Sequence, residues 1–401
     1  MKLQLLVAWQ RVRSSYWFLP TVFSLIAVCL SFGLIAFDQR YSTLMDGLTW
    51  VYKGGPEGAR AVLSAIASSV ITVAGTSFSI VVAALSMAST QFGPRILRNF
   101  MRDTGNQIVL GTFTATFLYC LLTLRAVRGL EDARYVPHLA VTVGVGLAVV
   151  SVGVLIYFVH HAAQSVQVSH LVRVLGDEFE QSVRAHFTEP LAQSPRPSDI
   201  PKARPHEVVA TSSGYFEAVD EDGLVRFAKK HDCLLRVLVR PGDYVLEGNV
   251  LAQVWPSDVH LNDGLRRFLA FGSLRSPDQD PQFSAYQLVD IGVRALSPSL
   301  NDPFTAIMCV DRLTAVLSHL LQHDHRPSTT RDEQGAARVI FRRFERAEIV
   351  EAAYRLITES AHQQPIVLER IRERTSQLLV DADADLRQAL TRELRRAGKT
   401  T

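Results

Sequence analysis

Between Ala61 and Pro94 the chain places ten hydroxyl side chains and no Asp, Glu, Lys or Arg. Ser69, Thr72, Thr76, Ser79, Ser86 and Thr90, with Ala83 filling one step, recur at alternating intervals of three and four. On a helix that spacing makes one stripe of small and hydroxyl side chains. Two kinds of chemistry suit it. Small residues let helix backbones approach closely and hydroxyls bond a neighbouring helix. Alternatively, a weakly polar and uncharged wall lines a path for an ion or small solute. The two coincide if copies of the chain assemble around this segment.

A second polar set lies further on. Asp290 and Arg294 are four apart on an amphipathic pattern over Phe283–Leu296, a spacing that lets them pair. The run Ser297-Pro298-Ser299-Leu300-Asn301-Asp302-Pro303-Phe304 follows. Pro298 discourages a helix, Asn301 or Asp302 can cap the next one, and Pro303 suits its first position. The run is a rigid helix-loop-helix corner, or Arg294, Asn301 and Asp302 form a polar binding site.

Other constellations carry less. His319, His323 and His325 have a spacing that could bring two imidazoles to a metal, but neither a His-Glu-x-x-His run nor a cysteine pair accompanies them, so a surface helix end is expected. Asp381, Asp383 and Asp385 begin like a calcium loop, yet Leu386 stands where Gly is needed and Arg392 at the twelfth position. The phosphate-binding, nucleophile-elbow and dinucleotide signatures are all missing from the sequence. An enzyme is not expected, and no cofactor is implied.

The elements that must position these residues differ sharply along the chain. Only 18 of the 81 charged residues fall in the first 165 positions. Four stretches without Asp, Glu, Lys or Arg each exceed or match the roughly 20 residues needed to cross a bilayer: 14–37, 61–94, 104–124 and about 135–159. The first lacks a small-x-small cleavage site and is too long for a signal-peptide core, so a retained anchor is expected. With the N-terminus inside, Lys2, Arg11, Arg13, Arg95, Arg98, Arg102, Arg173 and Arg184 form the inner basic set. Arg40, Lys53, Arg60, Arg125, Arg128 and Arg134 form the outer one. This bias, with two of the four cysteines inside spans, places both termini in the cytoplasm. No span carries a central ionisable residue, which favours a passive path or a non-transport role over ion-coupled pumping.

The polar half begins with a helical pattern over 162–187, expected to continue the fourth span, and then a linker with five prolines between Pro190 and Pro205. Short β-type runs follow at 207–211, 214–219, 224–228, 234–239 and 250–254. Residues 258–325 read as helical with one interruption. A strand is expected at 338–344 and helices over 347–360 and 365–396. Arginines in the last helix are offset by acids, and with a net charge of +3 no nucleic-acid partner is expected. The expected fold is thus an all-α membrane domain of four transmembrane helices followed by a cytoplasmic α+β region with a small β-barrel-like module. Its parts are 1–160 (spans), 161–188 (helical extension), 189–205 (linker), 206–256 (β-module) and 257–401 (helical region).

Two resemblances follow from these runs. Arg240–Val254 is similar to the second half of a biotinyl/lipoyl-like barrel-sandwich domain, but the tip at Trp255-Pro256-Ser257-Asp258 has no lysine to modify. A structural module is implied rather than a carrier. The SPSLNDPFTA run at 297–306, the preceding YQLVDIGVRAL and the TSFSIVVAALSMASTQFGPRIL run at 76–97 resemble an uncharacterised bacterial family of predicted integral membrane proteins, a domain of unknown function. That resemblance implies a multi-span protein of the bacterial inner membrane and no particular activity. The expected function is an oligomeric channel or passive transporter for an ion or small solute with a gating or sensing cytoplasmic region. The alternative is a membrane-anchored scaffold or regulator that recruits partners through that region.

Overall fold

The structure, a computed structural model, describes residues 15–41, 51–92, 103–128, 135–165, 167–190, 200–256, 262–277, 279–325 and 328–399. These fall into two compact units, divided between Gln167 and Val168. Expectations resting on Lys2, Arg11, Arg13, Arg95, Arg98, Arg102 and Arg134 lie outside the described residues.

In the N-terminal unit, four helices, α1 (Phe18–Arg40), α2 (Pro56–Phe92), α3 (Thr104–Ala126) and α4 (His138–Ser165), are long and apolar enough to cross a bilayer. The third sits against the other three. Its largest fully buried side chains are Phe113 and Tyr119, packed with Ala67, Val70 and Ala74 of α2 and Phe158 of α4. Glycines let the helices approach closely: a methyl at Gly111 of α3 would meet Phe23 of α1 at 2.9 Å, and one at Gly144 of α4 would meet Leu63 at 3.1 Å and Tyr119 at 3.6 Å. Buried hydroxyls stitch the helices together. Ser31 meets Thr123 at 3.2 Å, Thr116 meets Ser151 at 3.1 Å, and the Tyr119 hydroxyl donates to the Ala140 carbonyl at 2.8 Å.

The C-terminal unit starts with α5 (Val168–His186) and β1 (Phe187–Pro190). The expected continuous helix is interrupted: α4 ends at Ser165 and α5 begins at Val168. The β-region comprises β2 (His206–Val209), β3 (Gly214–Val219), α6 (Glu221–Lys230), β4 (Leu234–Val237), β5 (Tyr244–Val245), β6 (Val250–Trp255), α7 (Asn262–Arg266) and β7 (Leu269–Gly272). Two sheets, β5-β3-β7 and one containing β2-β6-β4, close on a core that includes Phe216, Leu235 and Leu251. The expected strand at 224–228 is instead helix α6. Asp220 accepts from the Gly223 amide and caps it, and Leu224, Phe227 and Ala228 bury at helical rather than alternating spacing.

Beyond these come α8 (Pro281–Ala295), α9 (Pro303–Leu317) with a 3-10 turn to Leu321, β8 (His323–His325), β9 (Thr329–Arg331) and β10 (Ala337–Ile340). Three helices follow: α10 (Arg346–Ser360), α11 (Pro365–Val380) and α12 (Ala384–Lys399). The stretch expected to be helical except at one corner thus holds two strands, β7 paired with β3 and β8 paired with β1. Strand β10 lies parallel to β4 and antiparallel to β9, completing the larger sheet. The expected long helix at 365–396 breaks at 381–383, where Asp383 accepts from the Leu386 amide and caps α12.

Candidate functional site

On α2 the two faces have different fates. Leu63, Ala67, Val70, Ala74 and Ser77 are buried against the other helices. Ser69, Thr72, Thr76, Ser79, Ala83 and Ser86 are exposed; the Thr90 side chain lies outside the described residues. Among the described residues the stripe thus lies on the face of α2 turned away from its buried contacts. Its hydroxyls are internally satisfied at several steps: Thr72 donates to the Ser68 carbonyl at 2.7 Å, Thr76 to Thr72 at 3.0 Å and Ser79 to Gly75 at 2.9 Å. Such bonds leave the hydroxyl's lone pairs facing outward. At 37 residues α2 is about 55 Å long, against roughly 30 Å of hydrocarbon.

Polar locks hold the bundle at both ends. Asp38, buried at the end of α1, accepts from the amides of Ala140 at 3.0 Å and Leu139 at 3.3 Å and so binds the N-terminus of α4. The Tyr52 carbonyl meets His138 Nδ1 at 2.7 Å, and Arg60 donates to the Val127 carbonyl at 3.0 Å. At the other end Asp103 caps α3 through the Gly105 amide, while its second oxygen meets His161 Nε2 of α4 at 2.7 Å. Tyr157 stacks on that imidazole. The interfacial pair was not legible in the sequence, because Asp103 and His161 sit 58 positions apart with no shared pattern. Thr112 and Thr114 bond back to the carbonyls of Ile108 and Leu110.

The second polar set divides into local roles. Asp290 and Arg294 form an ion pair at 3.4 Å on α8. Asp302 accepts from the Thr305 amide at 3.1 Å and its hydroxyl at 2.6 Å, capping α9, with Pro303 in the first turn. Asn301 takes a left-handed φ of 46° and accepts from Gln364 at 2.6 Å, tying the corner to the start of α11. The corner's polar groups thus serve its own geometry. Among the described residues no hydrogen bond or ion pair joins the Arg294 side chain to Asn301 or Asp302.

The imidazoles of His319 and His323 stack with centroids 3.9 Å apart and planes within 13°. His319 Nε2 meets the Phe187 carbonyl and His323 Nδ1 the His319 carbonyl, so the remaining nitrogens point from parallel rings rather than converging. Burial holds His319 below the usual histidine value, reinforced by His323 and Arg184. Among the described residues no group of three or more His, Cys, Asp or Glu side chains is placed to hold a metal ion.

Ion pairs fasten the β-region to the helices. Arg240 grips both oxygens of Glu348 on α10 at 2.5 and 3.1 Å, and Arg343 grips Glu221 on α6. Asp280, buried at the start of α8, caps that helix and takes a two-pronged contact from Arg275. Burial raises its carboxyl above the usual range and Arg275 pulls it back. Gly242, at φ 96°, lies directly over this pair.

The family model described as a predicted membrane protein, DUF2254, matches residues 13–376. The chain belongs to this family. Among curated relatives, uncharacterized protein MT1328 and uncharacterized protein Rv1290c, from two strains of Mycobacterium tuberculosis, are each 35% identical over 342 residues, 81% of this chain. The same holds for uncharacterized protein Mb1321c of Mycobacterium bovis. The chain spans 64% of the length of these relatives. No solved structure matches it. Family membership agrees with several helices able to cross a membrane; among the described residues there are five, the fifth being Pro303–Leu321 in the C-terminal unit.

Proposed function

We propose that this protein is a homo-oligomer of four-span subunits through which an ion or small solute passes, driven only by its own gradient. The observation that carries this reading is the outward stripe of α2: a run of exposed, uncharged hydroxyl and small side chains on the face opposite the buried Leu63, Ala67, Val70, Ala74 and Ser77. Placed around an axis, copies of this face would present donors and acceptors without a fixed charge to trap the solute. The central 20 or so residues of α2, roughly 64–84, match the roughly 30 Å of hydrocarbon.

Four spans, rather than five, suit the fifth apolar helix. Half of its residues are buried within the C-terminal unit, and it carries Asp311, paired with Arg374, and Arg312, paired with Asp177 and Glu180. A lipid-facing helix would expose such charges to hydrocarbon. An even number of spans and the distribution of Lys and Arg support an orientation with both termini on the cytoplasmic side of a bacterial inner membrane. The C-terminal unit is then the gate or sensor, its two-sheet β-region a structural module of barrel-sandwich type. No catalytic role is assigned.

The back-bonded hydroxyls of Thr72, Thr76 and Ser79 favour one rival reading. A hydroxyl donating within its own helix tolerates lipid, so α2 could be a plain anchor and the C-terminal unit a scaffold that recruits partners. Flux separates the two. Proteoliposomes holding the wild-type protein should pass an ion or small solute, and Thr76→Leu and Ser79→Leu variants that assemble normally should lose most of that flux. Equal, background-level flux in all three across an ion panel would leave the scaffold reading.

A further inference from the structure

Among the exposed side chains of the C-terminal unit, three apolar ones belong to segments that meet at one corner. Phe304 is 69% exposed, Ile366 46% and Leu300 42%. They belong to the loop before α9, the first turn of α9 and the first turn of α11, and the Gln364–Asn301 bond ties these segments together. Phe304 directly follows Pro303, in the turn that Asp302 caps, so a rigid backbone holds an aromatic ring in the open. Several apolar side chains held open together in this way mark an interaction site rather than a single exposed residue.

Internal contacts show which end of the unit this corner occupies. Arg312 of α9 reaches Asp177 and Glu180 of α5, and seven residues later His319 meets Phe187. The two helices therefore run parallel, and Phe304, eight residues before Arg312, lies level with the first turn of α5. Helix α10 runs the other way. Arg346 donates to Leu320, Tyr354 meets Thr314, and Ile357 lies against Gly292, which brings the 361–364 loop to the same end. The corner and the start of α5 thus share one end of the unit.

That end is tethered. Helix α5 begins at Val168, three residues after Ser165 closes α4. Three residues of chain reach at most about 10 Å. Where α4 ends at the bilayer boundary, the start of α5 is held there at any angle between the helices. The inference rests on that part of the membrane reading.

We infer that the Leu300–Phe304–Ile366 corner is a lipid-docking surface that inserts into the interfacial layer of the bilayer in which the protein itself resides. The binding is apolar in character. The charges at this end include Asp302, which is spent capping α9, and Arg294, Arg173, Arg355 and Arg370, paired with Asp290, Asp177, Glu359 and Glu373, together with His170, His362 and Glu369. This mixed set does not select anionic lipid, whereas an aromatic ring and two branched aliphatic side chains suit the boundary between headgroups and acyl chains. Docking would make the orientation of the C-terminal unit responsive to the state of the membrane.

The test uses the full chain in liposomes with Cys29→Ser, the remaining cysteines being buried. An environment-sensitive fluorophore is attached at Phe304→Cys and at Ile366→Cys, with Tyr244→Cys on β5 and Val149→Cys on α4 as references. Nitroxide-labelled lipid should quench the reporters at 304 and 366, and soluble iodide should quench them several-fold less than the one at 244. Iodide quenching at 304 equal to that at 244, with 149 still quenched by lipid, would overturn the docking while leaving the spanning reading intact. Shielding of 304 from both quenchers would mean that protein covers the corner, and would overturn it too. A reporter at 149 out of reach of lipid would remove the membrane reading itself.

Discussion

Glu393 on α12 is 1% exposed, with one oxygen on Arg396 at 2.5 Å and the other without a hydrogen-bond partner among the described residues. Burial lifts its carboxyl from the ordinary 4.5 to about 6, aided by Glu351 and Glu359 against Arg396 and Arg392. The folded chain then holds this proton more tightly than the unfolded chain between those values. Its contribution to stability is greatest below about 4.5 and falls as pH rises through 6. Glu393→Gln should flatten that segment of the stability–pH curve, measured by denaturant unfolding in detergent between pH 4 and 7. Glu348 has the opposite sign: burial raises its carboxyl, but Arg240 and the Glu345 amide outweigh that and hold it below 4.5. Its stabilisation is present above 4.5 and disappears as acid is added. Gly242 has a third kind of constraint. A methyl there meets the Asp280–Arg275 pair on a backbone at positive φ, so Gly242→Ala should destabilise the C-terminal unit by more than about 1 kcal/mol, read from the shift in unfolding midpoint.

At the scale of elements, caps decide where helices begin, and some of them were readable. Asp302-Pro303 announces the start of α9, and Asp302 caps it as expected. Asp302→Ala should cost about 1 kcal/mol and Asp302→Asn much less, measured by thermal unfolding. Asp38 was not readable in this way. It stands at the end of one apolar run and acts on amides about a hundred positions later, a partnership that no local pattern encodes. Asp38→Ala should loosen α4 from α1 by a similar amount, and Asp38→Asn should retain part of the lock. Helix α6 marks the boundary of periodicity arguments: Val225 and Phe227 flank Arg226 in a way that suggests a strand, whereas Leu224, Phe227 and Ala228 bury at helical spacing behind the Asp220 cap. Strands β7 and β8 were missed because each is short and exists only through pairing with distant β3 and β1. The stripe on α2 was legible in its spacing, whereas the face it occupies depended on which side of the helix the other spans bury.

At the scale of the molecule, an apolar unit of four long helices joins a charged α+β unit, and the family to which the chain belongs is one of predicted membrane proteins. What distinguishes this arrangement from a plain anchor is whether the exposed stripe of α2 meets water. Single cysteines walked along α2 in reconstituted protein, tested with a small membrane-impermeant thiol reagent, ask this directly. Cysteine at 72, 76, 79 and 83 should react, whereas cysteine at 71, 78 and 82, exposed on other faces of the same helix, should stay unmodified in lipid. Protection of all seven positions, or reaction without regard to face, would contradict the water-lined path.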